Sequence, residues 1–270
     1  MIKFLVVFVI YRKKLSEVIP LQYFNNINSD DMEFFIYDNS PETAEAESIV
    51  LNHKTQYFHD EENSGVSKAY NVASEYALKK QIEWLILFDQ DTEIKEGYLP
   101  NLKSAIKENS GIQLFIPKVF YRHGIMSPKR CRFFRPVYKD FTYGTHELND
   151  VSIINSGLVV TTRAFKQCGG YNEAVKLDFS DYQFIERLKS KIKKFYLFKG
   201  ELFQDFSNDE TDSKKLFSRF IIYCDSLKSY QTSRLKRLVI IYTGLLHSLS
   251  LTKRTKNLKF ITHYIKSFFK

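Results

Sequence analysis

The sequence predicts an α/β protein in which a mostly parallel sheet, flanked by helices, is followed by a C-terminal helical extension. Short apolar runs alternate with amphipathic segments along the first two thirds of the chain, as in doubly wound sheets. The apolar run 84–88 leads directly into two carboxylates. Positive charge is concentrated at the C-terminal end, which indicates a separate segment.

Composition and length are those of a folded globular protein. The hydrophobic fraction is 44%, the aromatic fraction is 16%, and the 270 residues include only ten glycines and six prolines, which excludes a disordered or low-complexity chain. This length suits a domain of about 200 residues with an appendage, predicted at 1–210 and 211–270. Three widely spaced cysteines lack the paired spacing of a zinc site and favour a reduced compartment.

The chain opens with an apolar run that we interpret as a buried strand over residues 3–10. It is not interpreted as a signal peptide, because Tyr11-Arg12-Lys13-Lys14 follows without a small-residue cleavage site. The longest later apolar stretch, 238–251, carries Thr, His and Ser and is shorter than the roughly 18 residues that cross a bilayer. We therefore expect a cytoplasmic protein that does not span a membrane.

A crossover helix over 15–25 and a second strand over 33–37 come next, and the strand ends in Asp38 and Asn39. Both residue types are common in turns. A carboxylate at the carboxyl end of an early strand is also placed to bind a base or ribose.

Short strand character at 49–53 and 55–58 precedes a helix that Asn63 or Ser64 would cap. Gly65 would let the backbone approach a ligand. Alanines spaced by four would pack that helix on the sheet; they are Ala69, Ala73 and Ala77.

The run 84–88 is apolar on both faces, as in a central strand of a covered sheet. Its carboxyl end delivers Asp89 and Asp91 to the crevice where α/β proteins bind ligands. Two carboxylates suit magnesium or manganese held partly by substrate phosphates. An Asp-x-Asp sequence also occurs in solvated acidic turns, so the pair alone does not decide the function.

Beyond this strand we predict a helix over 99–107, a strand over 113–119 and a basic loop. The basic side chains of this loop would face either solvent or a diphosphate. They are Lys129, Arg130, Arg132 and Arg135.

Strand character resumes at 151–161 but is interrupted by Asn155, Ser156 and Gly157, which indicates a bulge or a close approach to a ligand. After a short helix at 165–169, Asp178 or Ser180 would cap another helix. Asp181 would then lie in the first turn, where the helix dipole favours an ionised carboxylate that could act as a general base.

These pieces together resemble the family-2 glycosyltransferases of the GT-A fold, especially the rhamnosyltransferase-like branch of bacterial surface polysaccharide synthesis. The likeness covers roughly residues 1–210. Its motifs are Tyr37-Asp38-Asn39-Ser40, Asn63-x-Gly65 with Ala69 and Asn71, Phe88-Asp89-Gln90-Asp91, Asn155-Ser156-Gly157, and Gly169-Gly170-Tyr171-x-Glu173 with Asp178 and Asp181.

The resemblance implies a mixed, mostly parallel sheet and an inverting transfer from a nucleotide-diphosphate sugar to a glycan or lipid-linked acceptor. By the same resemblance, Asp38 with Asn39, Asn63 and Gly65 would line the base pocket, and Asp89 would contact the ribose. Asp91 would hold Mg²⁺ or Mn²⁺ bridging the diphosphate. Asp181 would be the base, and the donor and acceptor side would be formed by Asn155, Ser156, Gly157 and Asp178.

Two positions depart from the family pattern. Where members often carry a Glu after the base and a metal-binding His, this chain has Gln183 and Gln204. Either Asp91 and the diphosphate suffice, Asp205 substitutes for the His, or activity is lost.

Other functions remain as alternatives. A nucleotidyltransferase would need a glycine-rich basic loop near the amino terminus, whereas the segment 11–15 has no glycine. A nucleic-acid-binding protein would explain the basic tail but not the carboxylates, and no nucleic-acid motif accompanies the tail.

From residue 211 onward the chain has 13 Lys or Arg and 2 acidic residues, so the tail carries +11 and the body −2. We predict two or three helices from about Ser213. Five residues would pack on the body: Phe217, Phe220, Ile221, Tyr223 and Leu227. The segment 238–249 would be amphipathic or buried, and the basic faces would rest on the anionic inner leaflet; the alternative is a solvated basic face.

Overall fold

The computed structural model describes residues 2–43, 51–132, 135–137, 140–204 and 212–269, with the backbone alone for 132 and 135–137. The strands are β1 (Phe4–Ile10), β2 (Met32–Asp38), β3 (Thr55–His59), β4 (Trp84–Asp89), β5 (Glu93–Ile94), β6 (Leu114–Tyr121), β7 (Gly124–Ser127), β8 (Lys129–Arg132), β9 (Arg135–Val137), β10 (Gly144–Glu147), β11 (Val151–Ser152), β12 (Leu158–Thr161) and β13 (Lys194–Phe203). A 3-10 turn at Leu15–Glu17 precedes the helices α1 (Ile19–Asn25), α2 (Val66–Lys79), α3 (Tyr98–Glu108), α4 (Thr162–Gln167), α5 (Ser180–Leu188), α6 (Ser213–Ser229), α7 (Arg234–Thr255) and α8 (Lys259–Phe268).

The main sheet has the order β10-β13-β6-β12-β4-β1-β2-β3, with β5 paired to β13 and β7 to β6. Strands β4, β1, β2 and β3 are parallel to one another, whereas β12 runs antiparallel to both β4 and β6. The predicted mixed, mostly parallel α/β fold with C-terminal helices is confirmed. In the register, Val9 of β1 pairs with Asp89 and Ile10 pairs with Asp38, so both carboxylates lie at the same edge of the sheet.

Apolar side chains alternate across the sheet and form two cores. Leu5, Val7 and Val9 of β1 point into one core, which α2, α4 and α5 cover, and Phe4, Val6 and Phe8 point into the other, which α1 and α3 cover. All seven residues of β1 are buried. Burial on both faces accounts for the continuous apolar run that predicted this strand.

Several sequence predictions of local structure were wrong. The segment predicted as a loop contains β8 and β9, which form a small three-stranded sheet with β11. The strand predicted over 49–53 is not formed at 51–53, and residues 49 and 50 lie outside the described ranges. Neither predicted cap is used: Gly65 occupies the N-cap of α2 and Phe179 that of α5.

The C-terminal segment forms three helices starting at Ser213, as predicted. They share a third apolar cluster, which includes Phe220, Leu227 and Tyr264 and packs against Phe179 and Tyr182. Of the described helices, none combines the length and apolar character needed to cross a membrane. The predicted domain boundary after residue 210 lies outside the described residues.

Candidate functional site

The site is built around Asp89, which ends β4 and is partly exposed at the edge of the sheet. Three neutral side chains donate hydrogen bonds to it. The Tyr70 hydroxyl is 3.1 Å from Oδ1, and the Ser156 hydroxyl and the Gln204 amide nitrogen are 2.8 and 3.3 Å from Oδ2. Helix α2, the turn before β12 and the end of β13 therefore converge on one carboxylate.

Gln204 joins the two carboxylates that follow β4. Its Nε2 atom is 3.3 Å from Asp89 Oδ2 and also 3.3 Å from Asp91 Oδ1. Its backbone nitrogen donates to the Phe120 carbonyl at 3.0 Å, which fixes Gln204 beside the end of β6. One neutral amide thus holds two like charges close together.

The electrostatics of Asp89 follow from this crowding. Burial raises the pKa of Asp89, and the nearby charge of Asp91 raises it further, while hydrogen bonds from Ser156, Gln204 and Tyr70 lower it. Burial and a like charge both disfavour ionisation. A cation placed between the two carboxylates would relieve that repulsion.

Asp181 is the second residue of α5 and is partly exposed. Burial is the main cause that raises its pKa to about 7; a hydrogen bond from the Tyr182 backbone nitrogen lowers it, and the charges of Asp89 and Asp178 raise it. The effect of Asp89 shows that the two carboxylates share one electrostatic environment. A carboxylate with a pKa near 7 has the proton affinity that suits a general base near neutral pH.

Two buried tyrosines lie within this environment. The rings of Tyr70 and Tyr171 are 5.3 Å apart, and the Tyr171 hydroxyl donates to Asn155 Oδ1 at 2.6 Å. Burial raises the pKa of Tyr171 well above its usual value, and the charges of Asp181 and Asp89 raise it further. Sequence reasoning gave neither tyrosine a role, although Tyr171 is part of the Gly169-Gly170-Tyr171 motif. For Tyr70 the available signal was its position next to Ala69, on the side of α2 that also carries Ala73 and Ala77.

Ser156 and Gly157 shape the turn before β12. The Ser156 hydroxyl accepts from Thr92 at 3.0 Å while donating to Asp89. Gly157 has a φ of +74°, and a Cβ there would lie 2.3 Å from Leu202 Cδ1 and 2.8 Å from Pro117 Cγ. The close approach predicted at Gly157 is therefore to protein side chains.

The predicted nucleotide side lies at the ends of β2 and β3. Asp38 is fully buried, and its two oxygens accept from the Ser40 backbone nitrogen at 2.9 Å and from the Tyr57 hydroxyl. Asn39 accepts from the Gly65 backbone nitrogen at 3.3 Å. These contacts brace the loop before α2 against the strand ends.

The segment before α2 also has constrained backbone. Asn63 and Gly65 have φ values of +50° and +94°, and a Cβ on Gly65 would lie 2.4 Å from the Lys176 carbonyl oxygen. Glycine is therefore required at position 65 because the backbone of residue 176 passes close to it.

Asp178 is connected to the C-terminal helices. One carboxylate oxygen lies 3.4 Å from the Arg219 guanidinium of α6, and the other is buried without a hydrogen-bond partner. Burial raises the pKa of Asp178, whereas Arg219 and His247 lower it. The structure thus places Asp178 between Asp181 and the helical extension, away from the direct contacts of Asp89.

The donor set at Asp89 and Asp91 fits a hard divalent cation that is completed by substrate and water. Mg²⁺ commonly takes one or two carboxylates together with phosphate oxygens. Among the residues that the structure describes, no three His, Cys, Asp or Glu side chains are grouped so as to hold a metal ion. Asp205, the proposed substitute for the family's His, lies outside the described residues.

Three comparisons with known proteins bear on this site. The model of the family described as glycosyl transferase family 2 matches residues 21–168. A curated relative, the dTDP-rhamnosyl transferase RfbF of Shigella flexneri, is 26% identical over 128 residues, which are 46% of this chain and 43% of the relative. The matched region thus spans less than half of that relative's length.

Solved structures share the fold. GalNAc-T7 with UDP, GalNAc and Mn²⁺ superimposes with a TM-score of 0.63 and 11% identity, over 98% of this chain and 54% of that one. S. aureus TarS with UDP-GlcNAc gives 0.57 and 14%, over 98% and 81%. TarS with UDP gives 0.56 and 14%, over 99% and 81%.

Proposed function

Because this chain belongs to glycosyl transferase family 2, we propose that it moves a sugar from a nucleoside-diphosphate donor to a hydroxyl of a glycan or lipid-linked acceptor, with inversion. The chain is a glycosyltransferase with a GT-A fold. The observation that supports the proposed reaction best is the pairing of Asp89 and Asp91 through Gln204 at the sheet edge; the charge of Asp89 also raises the pKa of Asp181.

We propose a deoxysugar of the rhamnose class as the transferred group and bacterial surface polysaccharide as the product. The name of the Shigella flexneri relative supports a dTDP-linked donor, while the solved TarS structures contain UDP or UDP-GlcNAc. Both nucleotides are therefore candidates, and the base has to be determined by binding.

The nucleotide would lie along the ends of β1, β2 and β4. The Asp38 carbonyl accepts from the Asp60 backbone nitrogen and Asn39 accepts from that of Gly65, which supports a base pocket held in place by contacts within the protein. Asp89 would meet the ribose on the other side of β1. A preformed pocket lowers the ordering cost of binding.

Asp91, together with Asp89, would hold Mg²⁺ or Mn²⁺ against the diphosphate. The bound cation would supply charge neutralisation for the departing nucleoside diphosphate. Gln204 would then turn its carbonyl oxygen, in place of its amide nitrogen, toward the cation, because the two atoms exchange by a simple flip of the amide.

Asp181 would accept the proton of the acceptor hydroxyl as that oxygen attacks the anomeric carbon. The bond from the anomeric carbon to the diphosphate oxygen breaks in the same step, so the anomeric configuration inverts. Tyr171, Asn155 and Ser156 would fix the floor of the sugar site through their mutual contacts with Asp89 and Tyr70.

For the acceptor side we propose the region between Asp178 and the C-terminal helices. A lipid-linked acceptor would bring the enzyme to the cytoplasmic face of an anionic membrane, and the basic segment 211–270 would form the contact as a unit distinct from 1–210. No nucleic-acid partner is proposed.

The test is to offer dTDP-rhamnose and UDP-sugars with a panel of acceptors, and to determine the anomeric configuration of any product by NMR. We expect one donor to be used with inversion, and Asp181→Asn to be inactive. The control Asp225→Asn removes an exposed carboxylate of α6 that pairs with Lys228 and should keep full activity. Retention of configuration would contradict the single-displacement mechanism.

A further inference from the structure

Helix α7 has apolar side chains on two opposite sides. One side is buried in the C-terminal cluster through Ile240, Gly244, Ser248 and Leu251. Gly244 permits close packing, because a Cβ there would lie 2.7 Å from Leu227 and 2.8 Å from Tyr264. This side of α7 is therefore already packed against α6 and α8.

The opposite side of α7 carries a row of exposed large apolar residues. With about 100° between successive residues, they lie within about 80° of one another around the helix axis. This exposed α7 stripe consists of Leu235 (76% exposed), Leu238 (68%), Tyr242 (55%), Leu246 (43%) and Leu249 (46%). Single exposed leucines are ordinary, but a continuous row marks an interaction surface.

The charges around the stripe indicate what covers it. Helix α7 contains no Asp or Glu. Lys236 is paired with Glu186 and Arg237 donates to the carbonyls of Leu227 and Tyr230, so the basic residues that flank the stripe are Arg234 at the start and Lys253 and Arg254 at the end. Pairing of the stripe with a second copy of itself, parallel or antiparallel, would bring these cations together, which opposes association. An anionic surface would attract both ends.

We propose that the exposed α7 stripe lies in the surface of an anionic bilayer, with the helix parallel to the membrane plane. The stripe spans about 21 Å at 1.5 Å per residue, and an amphipathic helix with basic flanks inserts its apolar side to the depth of the headgroups. This inference deepens the proposed function by naming the surface that meets the membrane.

The contacts between α7 and the enzyme body give this surface a functional consequence. Lys236 of α7 is 2.9 Å from Glu186 of α5, the helix that begins beside Asp181. The positive charge of His247 of α7 lowers the pKa of Asp178. A bilayer beneath the stripe would thus place the base at a fixed height above the membrane, where a lipid-linked hydroxyl would reach it.

The experiment uses the full chain with phosphatidylcholine vesicles, with and without phosphatidylglycerol. We expect wild type to co-sediment with the mixed vesicles only, and Leu238→Gln with Leu246→Gln to lower the partition coefficient by about tenfold or more. Leu78→Gln, an exposed leucine of α2, should bind like wild type. Equal binding of the double variant and wild type would overturn the proposal.

A fluorescent probe tests insertion separately. The native Trp84 is buried, so Tyr242→Trp adds a reporter on the stripe, and Leu78→Trp is its matched control. We expect a blue shift with mixed vesicles at position 242 alone. A shift that depends on protein concentration without vesicles, with dimers detected by light scattering, would instead show self-association and overturn the proposal.

Nucleotide binding measured in vesicle-free buffer separates the two proposals. Loss of vesicle binding with intact nucleotide binding would reject the membrane surface alone. Vesicle binding without any nucleotide binding would reject the proposed transfer reaction and leave the α7 surface standing.

Discussion

The two parts of the sheet edge differ in how their carboxylates are held. On the nucleotide side, Asp38 is fully buried and each of its oxygens accepts a hydrogen bond from the protein. On the proposed reaction side, Asp89 and Asp91 are partly exposed; Asp89 accepts from Tyr70 and Ser156, and the two carboxylates share the amide donor Gln204. The first arrangement satisfies a charge internally, whereas the second keeps like charges close together.

This difference indicates which carboxylates serve the structure and which serve the ligand. Satisfied buried groups stabilise a fold, and their loss is expensive. Like charges held close together are unfavourable for the protein alone, and carboxylates such as Asp89, whose pKa burial and the charge of Asp91 raise, are typical of functional sites. Variants on the two sides should therefore separate stability from activity.

The largest expected effect is that of Asp181→Asn on transfer. Removing a general base lowers the rate by about a thousandfold, while nucleotide binding should change little because the proposed role of Asp181 is toward the acceptor hydroxyl. Rate and nucleotide affinity measured on the same preparation test this split. A variant that transfers sugar at the wild-type rate would remove Asp181 from its proposed role.

The same variant should stabilise the protein above neutral pH. The pKa of Asp181 is about 7 in the folded protein and near the ordinary 3.8 of an aspartate when unfolded, so the folded state binds a proton more tightly and stability falls as pH rises between these values. Asp181→Asn removes that loss of stability. The expected gain in the free energy of unfolding is about 1 kcal/mol, because solvent screens a partly exposed carboxylate. Thermal unfolding at pH 5 and pH 8 should show the gain mainly at pH 8.

On the nucleotide side, Asp38→Ala should destabilise the fold by about 2–3 kcal/mol, because it leaves the Tyr57 hydroxyl and the Ser40 nitrogen without this partner. Tyr57→Phe, which removes one donor and keeps the carboxylate, should have a smaller effect. Urea unfolding of both variants checks the order. An unchanged midpoint for Asp38→Ala would show that Asp38 does not brace the strand ends.

A smaller effect is expected at Gln204. Gln204→His restores the residue type that the family resemblance predicts, and an imidazole favours transition metals over Mg²⁺. We expect about a tenfold gain in Mn²⁺-supported nucleotide affinity with little change for Mg²⁺. Gln204→Ala is the control for loss of the amide. Identical metal preference in wild type and Gln204→His would exclude position 204 from the metal site.

The smallest effect is expected at the link to the C-terminal helices. Arg219→Gln removes a partly exposed ion pair with Asp178, which should lower stability by about 1 kcal/mol or less. The matched control is Lys228→Gln, which breaks an exposed pair within α6. A larger loss for Arg219→Gln than for Lys228→Gln, measured by thermal unfolding, would show that Asp178 depends on the extension.

Much of the fold could be predicted because β1, β2 and β4 are buried on both faces and appear as continuous apolar runs. Strand β13 was not predicted: Lys199 and Glu201 are exposed and Gly200 interrupts the pattern. That strand is recognisable only through its distant partners β6 and β10. Local periodicity carries no information on such long-range pairing.

The candidate site shows the same limit. Asp89 and Asp91 were predicted as site residues from their place after a strand, and Gln204 joins the two carboxylates; their roles, and that of Asp181, stay predictions. The contacts of Tyr70 and Gln204 depend on α2 and β13 meeting β4 in space, so no sequence spacing could reveal them. The predicted N-caps of α2 and α5 were wrong. Gly65 and Phe179 occupy these positions with positive φ values, a backbone geometry that the usual capping preferences do not indicate.

The central claim is that Asp91 and Asp89 form a metal-dependent site for a nucleoside diphosphate. The most direct measurement is calorimetric titration of dTDP and UDP into wild type and Asp91→Asn, with Mn²⁺, Mg²⁺ or a chelator. We predict binding of one nucleotide that requires metal and is lost in the variant. Absence of binding under every condition, or equal binding by Asp91→Asn, would contradict the account.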